Sequence, residues 1–216
     1  MTSSAPRTIV YIDGFNLYYG ALKGTPNRWL NIYRMSQLAL KGHSILKVKY
    51  FTALVKPRPE DPSQHIRQQV YLRALRTVPQ VEIYLGTFLV SYPKMVVHPV
   101  TSPPSFVTVV KTEEKGSDVN IATHLLMDAY EDQFDVAVLV TNDSDLLMPV
   151  QVVRQRLGKR VGILNPQIRN PKAKPSWALR RNADFFHSLH KGVLAASQFP
   201  PVMTDAKGTF HKPSSW

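Results

Sequence analysis

The chain has 216 residues, enough for one ordinary domain with a sizeable core, and its hydrophobic fraction of 44% is typical of soluble globular proteins. It contains no cysteine, which excludes disulfides and zinc–thiolate sites, and its formal net charge of +12 favours nucleic acid as a partner. No apolar run approaches the roughly 18 residues of a membrane span, and no apolar stretch of the secretory type precedes the first predicted strand. We therefore expect no membrane association and a cytoplasmic location.

The first part of the chain predicts alternating strands and helices. Residues 8–13 are β-branched and apolar and end in Asp-Gly, which is typical of a buried strand. We expect helices over residues 16–22 and 33–40, a strand over 45–54, a proline-containing loop over 56–62, and a helix that begins after a cap at Ser63, ends near residue 77 and points Ile66, Val70 and Leu75 inward.

The second part continues the alternation after an insertion. A strand is predicted over residues 81–85, followed by an irregular hairpin over 87–112 that several prolines interrupt. We then expect a helix capped by Ser117 with an apolar face of Val119, Ala122, Leu125 and Leu126, a strand over 134–141, a helix over 146–157 and a strand over 160–164. This order predicts an α/β fold with a mostly parallel central sheet and helices on both faces.

Three aspartates lie where predicted elements meet. Asp13 and Asp143 follow strands, and Asp118 lies in the first turn of a helix. In parallel sheets, ligands bind beyond the carboxyl ends of the strands, so we expect these carboxylates to share one site. A turn, a helix dipole or an N-cap explains each one separately, but together they suit a hard cation, Mg²⁺ or Mn²⁺.

Four neighbouring residues are weaker candidates for this site. Asn16 would orient a water, Asp13 or a phosphate, or would simply cap a helix, and Ser144 would donate to a phosphate or cap the next helix. Asp145 is either a direct ligand or a neighbour of the ligands. His124 lies six residues beyond Asp118, away from its helical face, and is less favoured. Asp128, nearly three turns beyond Asp118, is expected at the surface.

Basic residues provide candidate contacts to a phosphate backbone. Three groups are Arg67, Arg73 and Arg76, then Lys94, Lys111 and Lys115, and finally Arg169, Lys172 and Lys174. Contacts from such side chains to phosphate give affinity without reading sequence, although a solvated surface explains each group equally well. Lys115 is favoured because it adjoins the helix that begins near Asp118.

Three segments resemble the signature blocks of the NYN domain, a group of PIN-like nucleases that includes the LabA-type proteins. They are residues 11–17 (YIDGFNL), 114–119 (EKGSDV) and 140–146 (VTNDSDL), and residues 177–186 resemble the segment that closes that domain. The resemblance implies a PIN-like Rossmannoid sheet, a Mg²⁺ or Mn²⁺ site and cleavage of RNA.

On the matching positions, the resemblance implies that Asp13, Asp118 and Asp143 bind the metal and are catalytic, with Asn16 and Asp145 assisting. LabA-type sequences often carry an aspartate where this chain has His124. The fourth acidic position is then filled by Asp145 or by no residue.

These inferences predict a NYN/PIN-like nuclease domain over residues 7–190 and a flexible C-terminal extension over 191–216, which is polar and contains prolines. The expected function is hydrolysis of single-stranded or structured RNA by a water that the metal activates. A non-catalytic RNA-binding or regulatory module is the alternative, and an aspartate phosphotransferase is less favoured because no Asp-x-Asp follows the first strand. A second copy of the chain or a regulatory protein is a further candidate partner.

Overall fold

A computed structural model describes residues 4–169 and 174–216, so Lys172 lies outside the described residues. The strands in chain order are β1 (Arg7–Asp13), β2 (Ser44–Ala53), β3 (Val81–Ser91), β4 (Lys94–Val96), β5 (Phe106–Thr108), β6 (Lys111–Lys115), β7 (Val136–Val140), β8 (Arg160–Asn165), β9 (Phe185–Ser188), β10 (Val202–Asp205) and β11 (Gly208–His211). The helices are α1 (Gly14–Leu17), α2 (Ile32–Ala39), α3 (Gln64–Arg76), α4 (Ser117–Tyr130), α5 (Leu147–Gln155), α6 (Trp177–Asn182) and α7 (Lys191–Ala195). Short turns with other helical geometry cover Tyr18–Leu22, Pro26–Arg28 and Ser144–Leu146.

Seven strands form the central sheet in the order β6-β3-β2-β1-β7-β8-β9. Every neighbouring pair is parallel except β3 and β6, which confirms the prediction of a mostly parallel sheet of the PIN-like type. The central strand β1 pairs with both β2 and β7, and Ile12 lies opposite Tyr50 and Val140. The carboxyl ends of these three strands therefore meet at one edge of the sheet.

Helices cover both faces of the sheet, as the alternating pattern predicted. Along β1, Val10 and Ile12 belong to one buried cluster, which also contains residues of α2 and α3, while Ile9 and Tyr11 belong to a second cluster with residues of α4 and α5. This alternation follows from the two-residue period of a strand. Burial on both faces explains why the strand is apolar throughout.

One predicted inward side chain in each of two helices is exposed, while the others face the core. Ile66 of α3 is 53% exposed and Val119 of α4 is 69% exposed, so neither side chain faces the core. In α4 the most buried side chains are Ile121, Leu125 and Ala129, which are spaced by four residues along one face. The predicted Ala122, Leu125 and Leu126 pack against the core on this side of the helix, and Val119 alone was placed wrongly.

Asp128 is also placed differently from the prediction, since it is buried rather than at the surface. Its carboxylate accepts hydrogen bonds from the Lys49 ammonium at 2.8 Å and from the Tyr11 hydroxyl at 2.6 Å. Burial and the adjacent Asp128 charge raise the pKa of Tyr11 well above its ordinary value. Asp128 therefore forms a buried ionic contact between α4 and the sheet.

The predicted irregular hairpin is more regular than expected, and the strand before it is longer. Strand β3 extends to Ser91, β4 and β5 form a small antiparallel hairpin, and β6 returns antiparallel to β3. Gly86 allows close approach of the returning strand, because an added Cβ would lie 2.7 Å from the backbone oxygen of Lys115. The return brings the start of α4 to the carboxyl edge of the sheet.

The segment after residue 190 differs from the flexible extension that its polar composition predicted. It forms α7 and the β10–β11 hairpin, and Leu194, Phe199 and Phe210 are buried in the core. Arg73 of α3 donates two hydrogen bonds to the carboxylate of Asp205, at 2.8 and 2.7 Å. A few apolar side chains thus anchor a segment whose average composition is polar.

Within the described ranges, none of the helices combines the length and apolarity that crossing a membrane requires.

Candidate metal centre

Asp13 occupies the carboxyl end of the central strand, where β1 turns directly into α1. The turn is tight because Gly14 lies against β2: an added Cβ would be 2.7 Å from the Phe51 carbonyl oxygen and 2.8 Å from the Tyr50 ring. Asp13 also caps α1, since its Oδ1 accepts a hydrogen bond from the Asn16 backbone N–H at 2.9 Å. Its position is therefore fixed by both the strand and the helix.

The carboxylate of Asp13 is buried and held by two further donors. The side-chain amide of Asn16 donates to its Oδ2 at 2.6 Å, and the Thr141 hydroxyl donates to the same oxygen at 3.2 Å. Burial raises the pKa of Asp13, while these hydrogen bonds oppose that change by favouring the charged form. Asn16 and Thr141 thus position a carboxylate at the base of the site.

Asp143 follows β7, the neighbour of β1. Its Oδ1 accepts a hydrogen bond from the Asp145 backbone N–H at 3.0 Å, and its own N–H donates to the Thr141 hydroxyl at 3.1 Å. Asp143 therefore caps the helical turn Ser144–Leu146, as predicted, and this capping is compatible with a role in the site. Thr141 connects Asp143 to Asp13 through one hydroxyl group.

Asp118 lies in the first turn of α4, next to the return of β6. Gly116, with a φ of 100°, adopts the left-handed conformation that starts this helix. Both the backbone N–H and the hydroxyl of Ser117 donate to Glu114 Oε1, at 3.1 and 2.9 Å. Glu114 therefore fixes the helix start and places a further carboxylate beside the site, one that the sequence interpretation did not single out.

The three aspartates converge. One carboxylate oxygen from each of Asp13, Asp118 and Asp143 lies within 4.8 Å of the others. The pKa of Asp118 is raised to about 6, first by burial and then by the charges of Asp13, Asp143, Glu114 and Asp145. Carboxylates brought together in this way repel each other, and a divalent cation reverses that balance.

The weaker candidates lie around this group. Asp145 is exposed and does not belong to the group of three, although its charge contributes to the raised pKa of Asp118. Ser144 is exposed in the turn between Asp143 and Asp145. The His124 ring packs against Tyr84, with 3.9 Å between the ring centroids, and is also outside the group of three.

The predicted phosphate-binding residues are placed on different surfaces. Arg67 lines a cavity that opens at the aspartates, where its guanidinium pairs with Asp61. Lys111 and Lys115 are exposed on β6, with their ammonium groups 2.9 and 3.8 Å from Glu113. Arg73 lies along a separate surface, where it binds the C-terminal hairpin.

The cavity beside the aspartates has a volume of about 440 Å³. Its wall contains Phe15, Tyr18, Tyr19, Phe88 and Trp216 in addition to the acidic residues. Sequence reasoning missed this aromatic wall, because its members come from β3, the region of α1 and the end of the described chain. Only the Tyr18-Tyr19 pair close to Asp13 gave a local signal.

Comparison with known families assigns the chain to one family of this fold. The NYN domain family model matches residues 7–190. The chain belongs to the NYN domain family. This family is part of the PIN-like nuclease superfamily, whose NYN nucleases generally act on RNA.

Two similar proteins were found, one named as a monooxygenase and the other of unknown function. The chain is 30% identical over 241 residues to the 6-hydroxy-3-succinoylpyridine 3-monooxygenase HspA of Pseudomonas putida (strain DSM 28022 / S16), and the alignment covers all of this NYN protein and 77% of HspA. A solved structure of a protein of unknown function, VPA0982 from Vibrio parahaemolyticus RIMD 2210633, is 18% identical with a TM-score of 0.57. It covers 88% of this chain and 97% of its own, and supports the fold alone.

Proposed function

We propose that this NYN protein is a divalent-metal-dependent ribonuclease that hydrolyses phosphodiester bonds. The observation that carries the proposal is the convergence of Asp13, Asp118 and Asp143, with one oxygen of each within 4.8 Å of the others. The net charge of +12 supports a polyanionic substrate. The family supports the same class of reaction, since it belongs to the PIN-like nucleases.

The residues of the site fit Mg²⁺ or Mn²⁺. Asp13, Asp118 and Asp143 offer carboxylate oxygens, which hard cations of this kind prefer. The pKa of Asp118 is raised first by burial and then by repulsion from the neighbouring carboxylates, and a cation would relieve that repulsion. When bound, the cation supplies Lewis-acid activation and neutralises charge that develops on phosphate. Asn16 and Thr141 hold Asp13 in place, and Asp145 is the proposed fourth acid.

The surrounding chain would bind and orient the RNA. Lys115 and Lys111 are exposed on the strand that leads to Asp118, and Ser144 is exposed beside Asp143. Arg67 lines the cavity at the aspartates. We propose that these side chains contact phosphates without reading sequence, whereas Arg73 serves mainly to anchor the C-terminal hairpin through Asp205.

In the proposed reaction, water adds to phosphorus and one P–O ester bond breaks, which leaves one phosphate end and one hydroxyl end. No other reactant is required. Asp13, Asp118 and Asp143 would repel the negatively charged phosphate of the substrate. Only a bound cation would offset this repulsion and let the phosphate lie beside them. Activity is therefore expected to be lost on chelation.

A second candidate is oxygenation of a pyridine acid, which the name of HspA favours because that relative aligns with the whole chain. Non-haem iron oxygenases commonly bind iron through two histidines and one carboxylate. In the part of the chain that the structure describes, the grouped ligands are three carboxylates, which fit the hydrolytic candidate better.

The test is an assay of end-labelled RNA with Mn²⁺ or Mg²⁺, with and without chelator. We expect the wild type to cleave only with metal, and Asp13→Asn, Asp118→Asn and Asp143→Asn to lose at least about 100-fold in rate, as expected when groups that act directly on the reaction are removed. The matched control is Glu60→Gln, which removes an exposed carboxylate in a loop.

Three outcomes would contradict the proposal. Cleavage that survives the aspartate substitutions would mean that these carboxylates do not act. RNA binding without cleavage under either metal would favour the non-catalytic binding module. A parallel assay that found hydroxylation of 6-hydroxy-3-succinoylpyridine, but no RNA cleavage, would favour the oxygenase.

A further inference from the structure

The cavity beside the aspartates contains a continuous row of aromatic side chains. The row starts at the site, because Tyr50 packs on the backbone of Gly14, where an added Cβ would lie 2.8 Å from the Tyr50 ring. The Tyr50 and Tyr71 ring centroids are 6.4 Å apart, and those of Tyr71 and Trp216 are 5.7 Å apart. The row ends at the Arg28 guanidinium, 5.6 Å from the centroid of Trp216. The aromatic side chains therefore form one wall of the cavity that extends from the aspartates to the Arg28 guanidinium.

More aromatic side chains line the same cavity. The rings of Phe15 and Phe88 meet edge to face with centroids 5.7 Å apart, and Tyr18 and Tyr19 meet in the same way at 5.2 Å. Tyr19 is 48% exposed, whereas Tyr18 is partly buried and packs against the core, so this part of the wall reaches solvent through Tyr19. The volume of about 440 Å³ lies within the range of roughly 300–1,000 Å³ for small-molecule sites.

Part of this wall comes from outside the matched family domain. The NYN match ends at residue 190, whereas Trp216 lines the cavity. Trp216 is held in place by packing on Trp29, with 6.3 Å between ring centroids, and by a hydrogen bond from Arg28 to the Ser215 carbonyl oxygen. Trp216 therefore completes the aromatic wall from outside the matched residues 7–190.

We propose that this cavity is a nucleobase subsite, which binds the base of a nucleotide next to the phosphate that is cleaved. The proposal rests on the proposed ribonuclease function, because it uses the aspartates as the position of that phosphate. Aromatic faces stack on any base. Arg28, beside Trp216, and Arg67, which pairs with Asp61, also line the cavity and suit an adjoining phosphate. A base in a pocket of this kind must be unpaired and unstacked from its neighbours.

The test measures binding in the presence of EDTA, so that cleavage does not interfere. The probe is a short single-stranded RNA with a fluorescent end label, followed by anisotropy. Tyr18→Ala and Trp216→Ala are each expected to weaken binding roughly 5- to 150-fold, the effect of losing one stacked aromatic ring. Tyr18→Phe and Trp216→Phe should restore most of the affinity, because a ring is retained.

The matched control is Tyr130→Ala, which removes an aromatic side chain that is 83% exposed and lies at the far end of α4. It should bind the RNA like the wild type. Thermal unfolding checks that Trp216→Ala remains folded, and Tyr18→Ala provides an independent variant on the other side of the cavity. Competition with adenosine monophosphate and with ribose 5-phosphate separates base binding from phosphate binding, and only the former compound should compete well.

The proposal is overturned if both alanine variants bind like the wild type, if ribose 5-phosphate competes as well as the nucleotide, or if a blunt duplex binds as tightly as the single strand. Aspartate-dependent cleavage together with any of those results would leave the ribonuclease function in place and remove only the subsite. Loss of base binding in the variants of a protein that never cleaves RNA would support the subsite and refute the hydrolytic function.

Discussion

Replacing Asp118 with asparagine should stabilise the metal-free protein while removing its activity. The Asp118 carboxyl has a pKa raised from 3.8 to about 6 by burial and by the neighbouring carboxylates. A folded-state pKa above the unfolded value means that the ionised carboxylate disfavours folding. The penalty is therefore full above about pH 6 and disappears as the pH falls towards 3.8.

The size of the stabilisation follows from the pKa shift of Asp118. About two pKa units correspond to roughly 3 kcal/mol, and because Asp118 is half-buried, solvent screening reduces this to about 1.5 kcal/mol. Asparagine also loses a favourable interaction with the dipole of α4, worth about 0.5 kcal/mol. We therefore expect Asp118→Asn to raise the free energy of unfolding by about 1 kcal/mol at pH 7.5, which raises Tm by roughly 2–4 °C in a protein of this size.

The assay is thermal unfolding in EDTA at pH 7.5 and pH 4.5, with Glu60→Gln as the matched loss of one carboxylate. At pH 4.5 most of the gain should vanish, because Asp118 is then protonated in the folded wild type. Adding Mn²⁺ at pH 7.5 should reverse the order, since only the wild type would gain from the cation. Equal gains at both pH values, or a loss of stability in EDTA at pH 7.5, would refute the reasoning.

Three further predictions concern the support of the site and the substrate. Gly14→Ala should lower the free energy of unfolding, measured in urea, by about 2–3 kcal/mol, because the added methyl group meets a backbone carbonyl. Gly192→Ala is the control, since Gly192 has open space around it, and it should change the free energy of unfolding by less than about 0.5 kcal/mol. Equal effects of the two substitutions would contradict this prediction. Lys49→Met should lower the free energy of unfolding by roughly 3–5 kcal/mol by leaving Asp128 buried without its cation. The double variant with Asp128→Asn should recover much of the loss, because the charge is removed while an acceptor remains for the Tyr11 hydroxyl; a cost below about 1 kcal/mol for Lys49→Met would show that the pair is not needed. RNA affinity should fall steeply with salt in anisotropy titrations, because phosphate contacts release counterions, and a flat response would exclude the basic surface as the RNA-binding surface.

The sheet and the aspartate group could be predicted because their signals are local. The apolar segment that ends at Asp13 and the similar segment before Asp143 both identify buried parallel strands, and the carboxyl ends of such strands meet at one edge. Asp118 could be added to them because it lies at a predicted helix N-terminus, which can open onto the same edge; the structure brings it there through the antiparallel strand β6. Each of these inferences needed only a few neighbouring residues.

Features that depend on distant contacts could not be predicted in this way. Asp128 seemed a surface residue because its partner Lys49 lies 79 positions earlier in the chain. The segment after residue 190 seemed flexible because its composition is polar, yet Phe199 and Phe210 dock into the core. The aromatic wall escaped notice for the same reason, since Trp216 reaches Tyr71 only in the folded chain.

The central claim is that Asp13, Asp118 and Asp143 form a cation site, and titration calorimetry with Mn²⁺ at pH 7.5 tests it most directly. We expect the wild type and Glu60→Gln to bind Mn²⁺ with similar affinity, and Asp13→Asn and Asp143→Asn to lose most of it, because each removes one of three charged ligands. Mn²⁺ binding that is unchanged in both aspartate variants, or that is absent from the wild type, would contradict the account.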